Sequence, residues 1–457
     1  MAVQIKAMTD GPPTKLLITF ALPLMLGNVF QQLYTVVDTM IVGQGVGVHA
    51  LAALGAGDWL NWMFLGIVQG LTQGFAIEIA QMFGAGREED LRGTVGSSVV
   101  LASISAVVLV LLGLLLMKPV LLLLATPADI LPLTMCYLRI MFLGTPFVMA
   151  YNLLACILRA LGDGRTPLQA MVVACLVNIG LDLLFVLVFH WGIAGAAVAT
   201  LLAQCASAWF CFLRLRKVPL LRLERKHFQL SGPGAKRLIG LGIPMACQNT
   251  LIAVGGMIMQ NVVNGYGVLF IAGYTASNKL YGVLEIAATS YGYAMSTYVG
   301  QNLGARKLKR IKHGTRSGMI VAILTSLVIT VLMLLLGRRI LGLFISGTPE
   351  ETAQTVEIAY RYLSIMSICL PTLYLLHVFR SSIQGMGNTV LPMVSGIAEF
   401  VMRTGGVLVL PLLLGSTGIF WSEVLAWMGA DCILLPSYFF VLRRIEKNQI
   451  HKQIPTA

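Results

Sequence analysis

Ionisable side chains are rare inside the long apolar runs of this chain, so the few that occur there define its candidate chemistry. Asp38 and Asp182 lie in such runs, and each follows a polar residue by four positions, Tyr34 and Asn178 respectively. That spacing puts both members of each pair on one face of a helix. Two carboxylates with amide and hydroxyl neighbours make a site for a proton or for Na⁺. Close carboxylates do not both stay charged, so one is disposed to load a proton. Alternatively, their oxygens can coordinate a hard cation. The plainer reading, that each Asp only bonds a neighbouring helix, is weaker for the set than for either residue alone. Glu78 stands near a helix end.

The second half of the chain holds another group: Lys279, Glu285, Glu399, Arg403, Glu423 and Asp431. Glu399 and Arg403 are spaced i, i+4 and can pair with each other, a structural reading at least as good as a functional one. Lys279 and Glu285, six apart, do not share a face and either bridge helices or line a cavity. Glu423 and Asp431 read as lying too far out to matter. Gln248, Asn249 and Gln260 add uncharged polar groups, and the first two join the candidates for a substrate cavity. No phosphate-binding loop, zinc-protease motif or nucleophile elbow occurs, and the six His are scattered. An enzyme or ATP-driven pump is thereby excluded, and no cofactor is expected beyond a coupling ion. The eight Cys read as small buried hydrophobes, not disulfides or metal ligands.

These residues must be carried by membrane-spanning helices. Of 457 residues, 57% are hydrophobic and 11% charged, against about 25% charged in soluble domains. Uncharged stretches such as Val99–Met117 exceed the ~18 residues that mark a span. The fold class expected is an all-α integral membrane protein of twelve helices, near 15–43, 55–83, 94–117, 133–160, 167–189, 193–213, 236–262, 269–300, 314–336, 357–383, 389–414 and 418–441. Pro23, Pro146, Pro244 and Pro371 fall inside segments and should bend them. Alternate loops, with Arg380 counted among them, collect 25 of the 32 Lys and Arg on one side, against five on the other. Both termini are therefore expected in the cytoplasm of a multi-pass plasma (inner) membrane protein. Lys279 and Arg403 are the two bases left inside helices. The net charge of +13 then reflects orientation in the lipid bilayer, and a nucleic-acid partner is not expected.

The two halves echo each other. Pro23 and Asn28 match Pro244 and Asn249, Gly45 and Gly47 match Gly265 and Gly267, Gly84-Ala85 matches Gly304-Ala305, and Gly162–Thr166 matches Gly385–Thr389, at shifts of 220–223. Six helices separate the copies, so the repeats are parallel, an arrangement suited to alternating access around a central cavity. The expected organisation is a lobe at 1–213, a cytoplasmic linker at 214–235, a second lobe at 236–441 and a tail at 442–457.

Several stretches resemble one family. Pro23…Asn28…Gln32-Leu-Tyr-Thr-Val-Val-Asp38…Gly43, Ala52-Ala53, Gly84-Ala85-Gly86, Leu158–Pro167, Gly300–Ala305 and Arg310–Gly314 are similar to segments of the multidrug and toxic compound extrusion (MATE) transporters, most of all their DinF-like branch. The resemblance implies twelve helices in two lobes forming a V-shaped cavity. It also implies export of cationic or amphipathic small molecules, drugs or toxic metabolites, in exchange for H⁺ or Na⁺. It carries the first-lobe cation site onto Asp38, Asn178 and Asp182, with Ala196 and Thr200 on the sixth helix; these would be metal ligands only if the ion is Na⁺. Another branch uses acids on the seventh and tenth helices, where this chain has Gln248, Asn249 and Gln260 and no mid-helix acid.

Two competitors remain. A lipid-linked oligosaccharide flippase of the same superfamily would have a strongly cationic cavity, whereas here acids outnumber the two in-helix bases. A non-transporting receptor or scaffold would not need the repeat. A monomer is the expected working unit.

Overall fold

A computed structural model describes residues 5–124, 126–345 and 348–451. The described residues are helical throughout, with no strand among them. The helices are α1 (Pro13–Gly45), α2 (Val48–Gly84), α3 (Glu88–Leu123), α4 (Leu131–Leu143), α5 (Thr145–Ala160), α6 (Arg165–Asp182), α7 (Gly192–Leu215), α8 (Gly232–Asn264), α9 (Val268–Gly304), α10 (Leu308–Phe344), α11 (Pro349–Ile368), α12 (Leu370–Gly385), α13 (Val390–Leu414) and α14 (Thr417–His451). Fourteen helices make twelve spans because two spans are broken. The pairs α4/α5 and α11/α12 each bend by 48°. The bends fall at Gly144 and Cys369, just before Pro146 and Pro371 in the opening turn of the next helix. There the missing N–H costs nothing and the fixed φ suits a new start. Pro23 and Pro244, by contrast, sit inside helices that continue unbroken. Among the described residues, nine helices and the two bent pairs are apolar enough to cross a membrane. The twelfth span is α9, whose apolar run is diluted by Ser277, Lys279, Glu285 and Thr289.

Backbone geometry confirms the repeat and corrects its register. Gly47 and Gly267 have φ of 109° and 89°, and Gly86 and Arg306 have 69° and 57°, both pairs at a shift of 220. The copies therefore make the same left-handed turns, one of them on an arginine, where it is strained. After the fourth span the left-handed residues are Gly162 (84°) and Gly387 (83°). The shift there is 225, so matching Gly162 with Gly385 was off by two. A Gly-x-Gly sequence does not reveal which glycine takes the turn.

By contacts, the described residues of Met1–Met8 and Leu22–Thr250 form one compact unit, and those of Thr9–Ala21 and Leu251–Ala457 another. The division by packing thus falls within α1 and α8, whereas the repeat divides the chain at 214–235. In the first unit, α2 meets the start of α8 through glycines. A Cβ on Gly70 would lie 2.5 Å from Ala246 N, and one on Gly74 2.4 Å from Gly242 Cα. Only glycine permits this approach, as at other small-residue helix contacts in membranes. The 214–235 segment docks on α3: Arg92 Nε donates to Leu220 O (2.9 Å), and buried His227 meets Glu89 at 3.2 Å. In the second unit, Lys307 Nζ donates to Asp10 Oδ1 (2.8 Å) and Thr9 O (3.1 Å), tying down the segment before α1.

The cysteines are all free thiols among the described residues, but only Cys156, Cys175 and Cys211 are buried. Cys247 and Cys432 are exposed on apolar helices. A helix facing lipid has no need to bury a small hydrophobe.

Candidate functional site

In the first unit the candidates converge from three helices. Asp38 comes from the second half of α1, Asn178 and Asp182 from the end of α6, and Thr200 from α7. Asp182 is the last residue of regular α-helix, and Leu183–Val188 continue as one π-helical turn. Such turns are uncommon and concentrate at functional sites. The turn is held by close packing, since a Cβ on Gly195 of α7 would lie 3.1 Å from Phe185 Cβ. Ala196, next to it, is fully buried.

Asn178 and Asp182 are 0% exposed, and Asp38 is half-buried. The two carboxyl groups are close enough to act on one another's charge. Asn178 Nδ2 points at Thr200 Oγ1 across a long 3.5 Å, which turns the amide oxygen away from Thr200. Asp38 Oδ1, Asn178 Oδ1 and both Asp182 oxygens are buried without a protein hydrogen-bond donor. Buried acceptors without donors are costly, and a proton, a cation or an ordered water would each relieve them. Tyr34 is half-buried and adjoins Asp38 and Gln204. Among the described residues no three His, Cys, Asp or Glu side chains gather as a metal set. The donors here are two carboxylates, an amide oxygen and a hydroxyl, a set that fits a proton or a hard monovalent cation.

Sequence reasoning missed Asp58 on α2, whose charge acts on Asp38. It lies in the segment 55–83, close to the predicted start. Glu78 does not join the cluster. It pairs with Arg237 of α8 (Nε–Oε2 2.5 Å), and Arg237 also reaches Gln81 Oε1 at 2.9 Å.

The second unit resolves its charges differently. Glu399 Oε1 takes Arg403 Nη2 at 3.1 Å, the i, i+4 pair expected. Arg380 Nη2 lies 2.7 Å from Glu399 Oε2, and Arg403 Nη2 2.6 Å from Glu423 Oε1. Two expectations are corrected here. Arg380 is not in a loop but 7% exposed within α12. Glu423 is not too far out to matter. It ends a neutral chain of four charges spanning α12, α13 and α14, and Arg403 Nη1 adds a 3.4 Å contact to Ile252 O of α8. Buried ions persist only when so paired.

The remaining cavity candidates are dispersed. Asn249 Nδ2 donates to Gly66 O (2.9 Å), fastening α8 to α2, and Gln248 is 2% exposed. Gln260 bonds Asn264 on the same helix. Lys279 is exposed on α9, while Glu285 is half-buried and 3.7 Å from His377 Nε2. Asp431 has one buried oxygen without a partner.

Comparison with known proteins agrees with this arrangement. The MatE family model matches residues 23–184 and again residues 244–406, two copies in the register of the internal repeat. The chain is 30% identical over 354 residues to the probable multidrug resistance protein YoeA of Bacillus subtilis, covering 76% of this chain and 75% of that one. It is 29% identical to the probable multidrug resistance protein YpnP of the same organism, over 93% of this chain and 94% of that one. The multidrug export protein MepA of Staphylococcus saprophyticus is 22% identical, with 89% of each chain covered. An outward-facing multidrug resistance MATE transporter of the MOP superfamily superposes with a TM-score of 0.89 at 20% identity, covering 98% of this chain and 100% of that one. A MOP superfamily transporter from Pyrococcus furiosus, described as having a binding pocket of reverse polarity, gives 0.88 at 20% identity, over 98% and 99%. These structures share the two-lobe, twelve-helix fold, and with both of its repeats matched the chain belongs to the MatE family of multidrug and toxic compound extrusion transporters.

Proposed function

We propose that this chain is a secondary active antiporter that exports cationic or amphipathic small molecules in exchange for H⁺ or Na⁺. The observation that carries this reading is the cluster of buried acceptor oxygens on Asp38, Asn178 and Asp182 that lack a protein donor. A bare charge inside a membrane protein is expensive, and a bound proton or cation removes the cost. An ion that binds two conformations with different affinity shifts the balance between them, which is what coupling requires. Thr200 and Tyr34 complete the site in this reading, and the first six-helix repeat carries it.

Cationic cargo fits the charges left over. The Arg380–Glu399–Arg403–Glu423 chain is neutral, which leaves Asp38, Asp182 and Glu285 against Lys279 among the candidate coupling and cavity residues. The excess of Lys and Arg in alternate loops supports a cytoplasmic position for both termini. The test is transport in proteoliposomes under pH and Na⁺ gradients imposed separately. Export of a lipophilic cation should follow one of them and stop when it is dissipated. Cation movement indifferent to both gradients would overturn antiport.

A further inference from the structure

Lys118 and Arg139 belong to the small basic minority at the span ends away from the basic loops. They share one groove in the first unit, a space of about 420 Å³ between the end of α3 and the first turns of α4. Leu131, Met135 and Ile140 form its apolar floor. Both basic side chains are exposed, and neither makes an ion pair or hydrogen bond among the described residues. The apolar surface does not stop at them. Leu122, Leu123 and Leu124 beyond Lys118 are 55%, 84% and 46% exposed. Lys118 is five residues short of the end of α3 and Arg139 eight residues into α4, depths of roughly 8 and 12 Å. Two cations therefore stand inside a lipid-facing rim, where an unpaired charge is costly.

The second repeat shows what this position looks like when the protein supplies the counter-charge. Leu114-Leu-Leu-Met-Lys118 corresponds to Leu334-Leu-Leu-Gly-Arg338 at a shift of 220. On the next helix, buried Tyr137 and Leu138 correspond to buried Tyr362 and Leu363 at a shift of 225. In that register Glu357 replaces Pro132, Tyr360 replaces Met135 and Ser364 replaces Arg139. Arg338 pairs with Glu357 at 2.9 Å and lies 4.6 Å from the Tyr360 ring centre. The first repeat has neither partner, and Arg139 stands where the second has Ser364.

We propose that this groove binds an anionic phospholipid, its phosphate between Lys118 and Arg139 and an acyl chain along Leu131, Met135 and Ile140. Guanidinium and ammonium groups are the usual phosphate partners. An apolar floor opening toward the bilayer suits a lipid better than a free anion, and the site is independent of ion coupling.

The test is native mass spectrometry of the full chain in neutral detergent with phosphatidylglycerol or phosphatidylcholine added. The wild type should retain one phosphatidylglycerol with roughly thirtyfold preference, the scale expected of two basic groups near an anionic headgroup. K118Q/R139Q should lose that preference with an unchanged melting temperature in lipid-free detergent. Pro132→Glu, which installs the second repeat's acid and keeps both cations, should weaken retention in the same direction. Equal retention of the two lipids by the wild type, or undiminished preference in both variants, would overturn the proposal. Displacement of the lipid by an equal concentration of free glycerol phosphate would overturn the lipid assignment in favour of a soluble anion.

Discussion

Arg380 on α12 holds Glu399 on α13 at 2.7 Å, and Glu399 uses its other oxygen for Arg403. One carboxylate therefore neutralises part of two buried guanidinium groups, with Glu423 supplying the second negative charge. Glu399→Gln leaves two cations facing one acid. Breaking a buried pair in this way costs about 3–5 kcal/mol, seen as a lower melting temperature and poor recovery of monodisperse protein. Adding Arg380→Met to Glu399→Gln returns the group to one cation and one anion, and should recover part of the loss. The folded fraction of Glu399→Gln should keep its dependence on the driving ion. A single variant as stable as the wild type would show that the ladder does not hold the three helices together.

The contact of α2 with α8 gives a sharper steric prediction. The atoms that a Cβ on Gly74 would meet are backbone atoms of Gly242 and Leu241, which cannot swing aside. Gly74→Val should force the helices apart at a cost of about 3 kcal/mol, the upper range for overpacking. Gly93 on α3 has nothing within 4 Å of its added Cβ, so Gly93→Ala should be neutral or gain up to ~1 kcal/mol of helix propensity. Fluorescence-detected size exclusion after a heat step reads both. Equal melting of the two variants would refute the close-approach argument.

How much of this was legible follows from the range of each interaction. Spans and broken spans were readable because apolar length and Pro146 and Pro371 act locally. Tyr34/Asp38 and Asn178/Asp182 were readable because four residues is one helical turn. Arg380 was not, since it lies three residues from the end of the expected span 357–383 and its partner Glu399 is on another helix. Glu423 was discounted for the same reason, as nothing near it in sequence reveals Arg403. The packing division inside α1 and α8 depends on contacts such as Asn249 with Gly66, 183 residues apart, which no local pattern records.

The segment before α1 should respond to acid. The hydrogen bond from Lys307, with a smaller contribution from Thr9, holds the Asp10 carboxyl below its usual range. A group depressed in the folded state adds stability above its unfolded pKa, about 3.9, and loses it as the pH falls through the folded value. Docking of residues 9–12 should therefore be unchanged from pH 7 to pH 5 and loosen below about pH 4. Hydrogen-exchange protection, taken relative to the intrinsic rate at each pH, should fall near Thr9 and Gly11 only in the acidic range, and Asp10→Asn should lower it at pH 7. Weaker protection at pH 7 than at pH 5 would contradict the assigned sign.

The coupling proposal is most exposed at Asp38 and Asp182. Both carboxyl groups share one buried cluster with Asn178, so they should behave as one site. Asp38→Asn preserves shape and removes the titrating group. It should reduce gradient-driven export to background while leaving the melting temperature within a few degrees of wild type, because an amide in this cluster carries no bare charge. Asp182→Asn should do the same. The double variant should be scarcely worse than either single one, since residues acting as one unit are not additive. Thr200→Val should weaken export only partly, because Thr200 meets the cluster only through the long 3.5 Å contact with Asn178. The measurement is uptake of a fluorescent cation into everted vesicles under the driving gradient, with protein amounts matched by quantitative blot. If Asp38→Asn transports at the wild-type rate under that gradient, the first-repeat cluster is not where the ion is coupled.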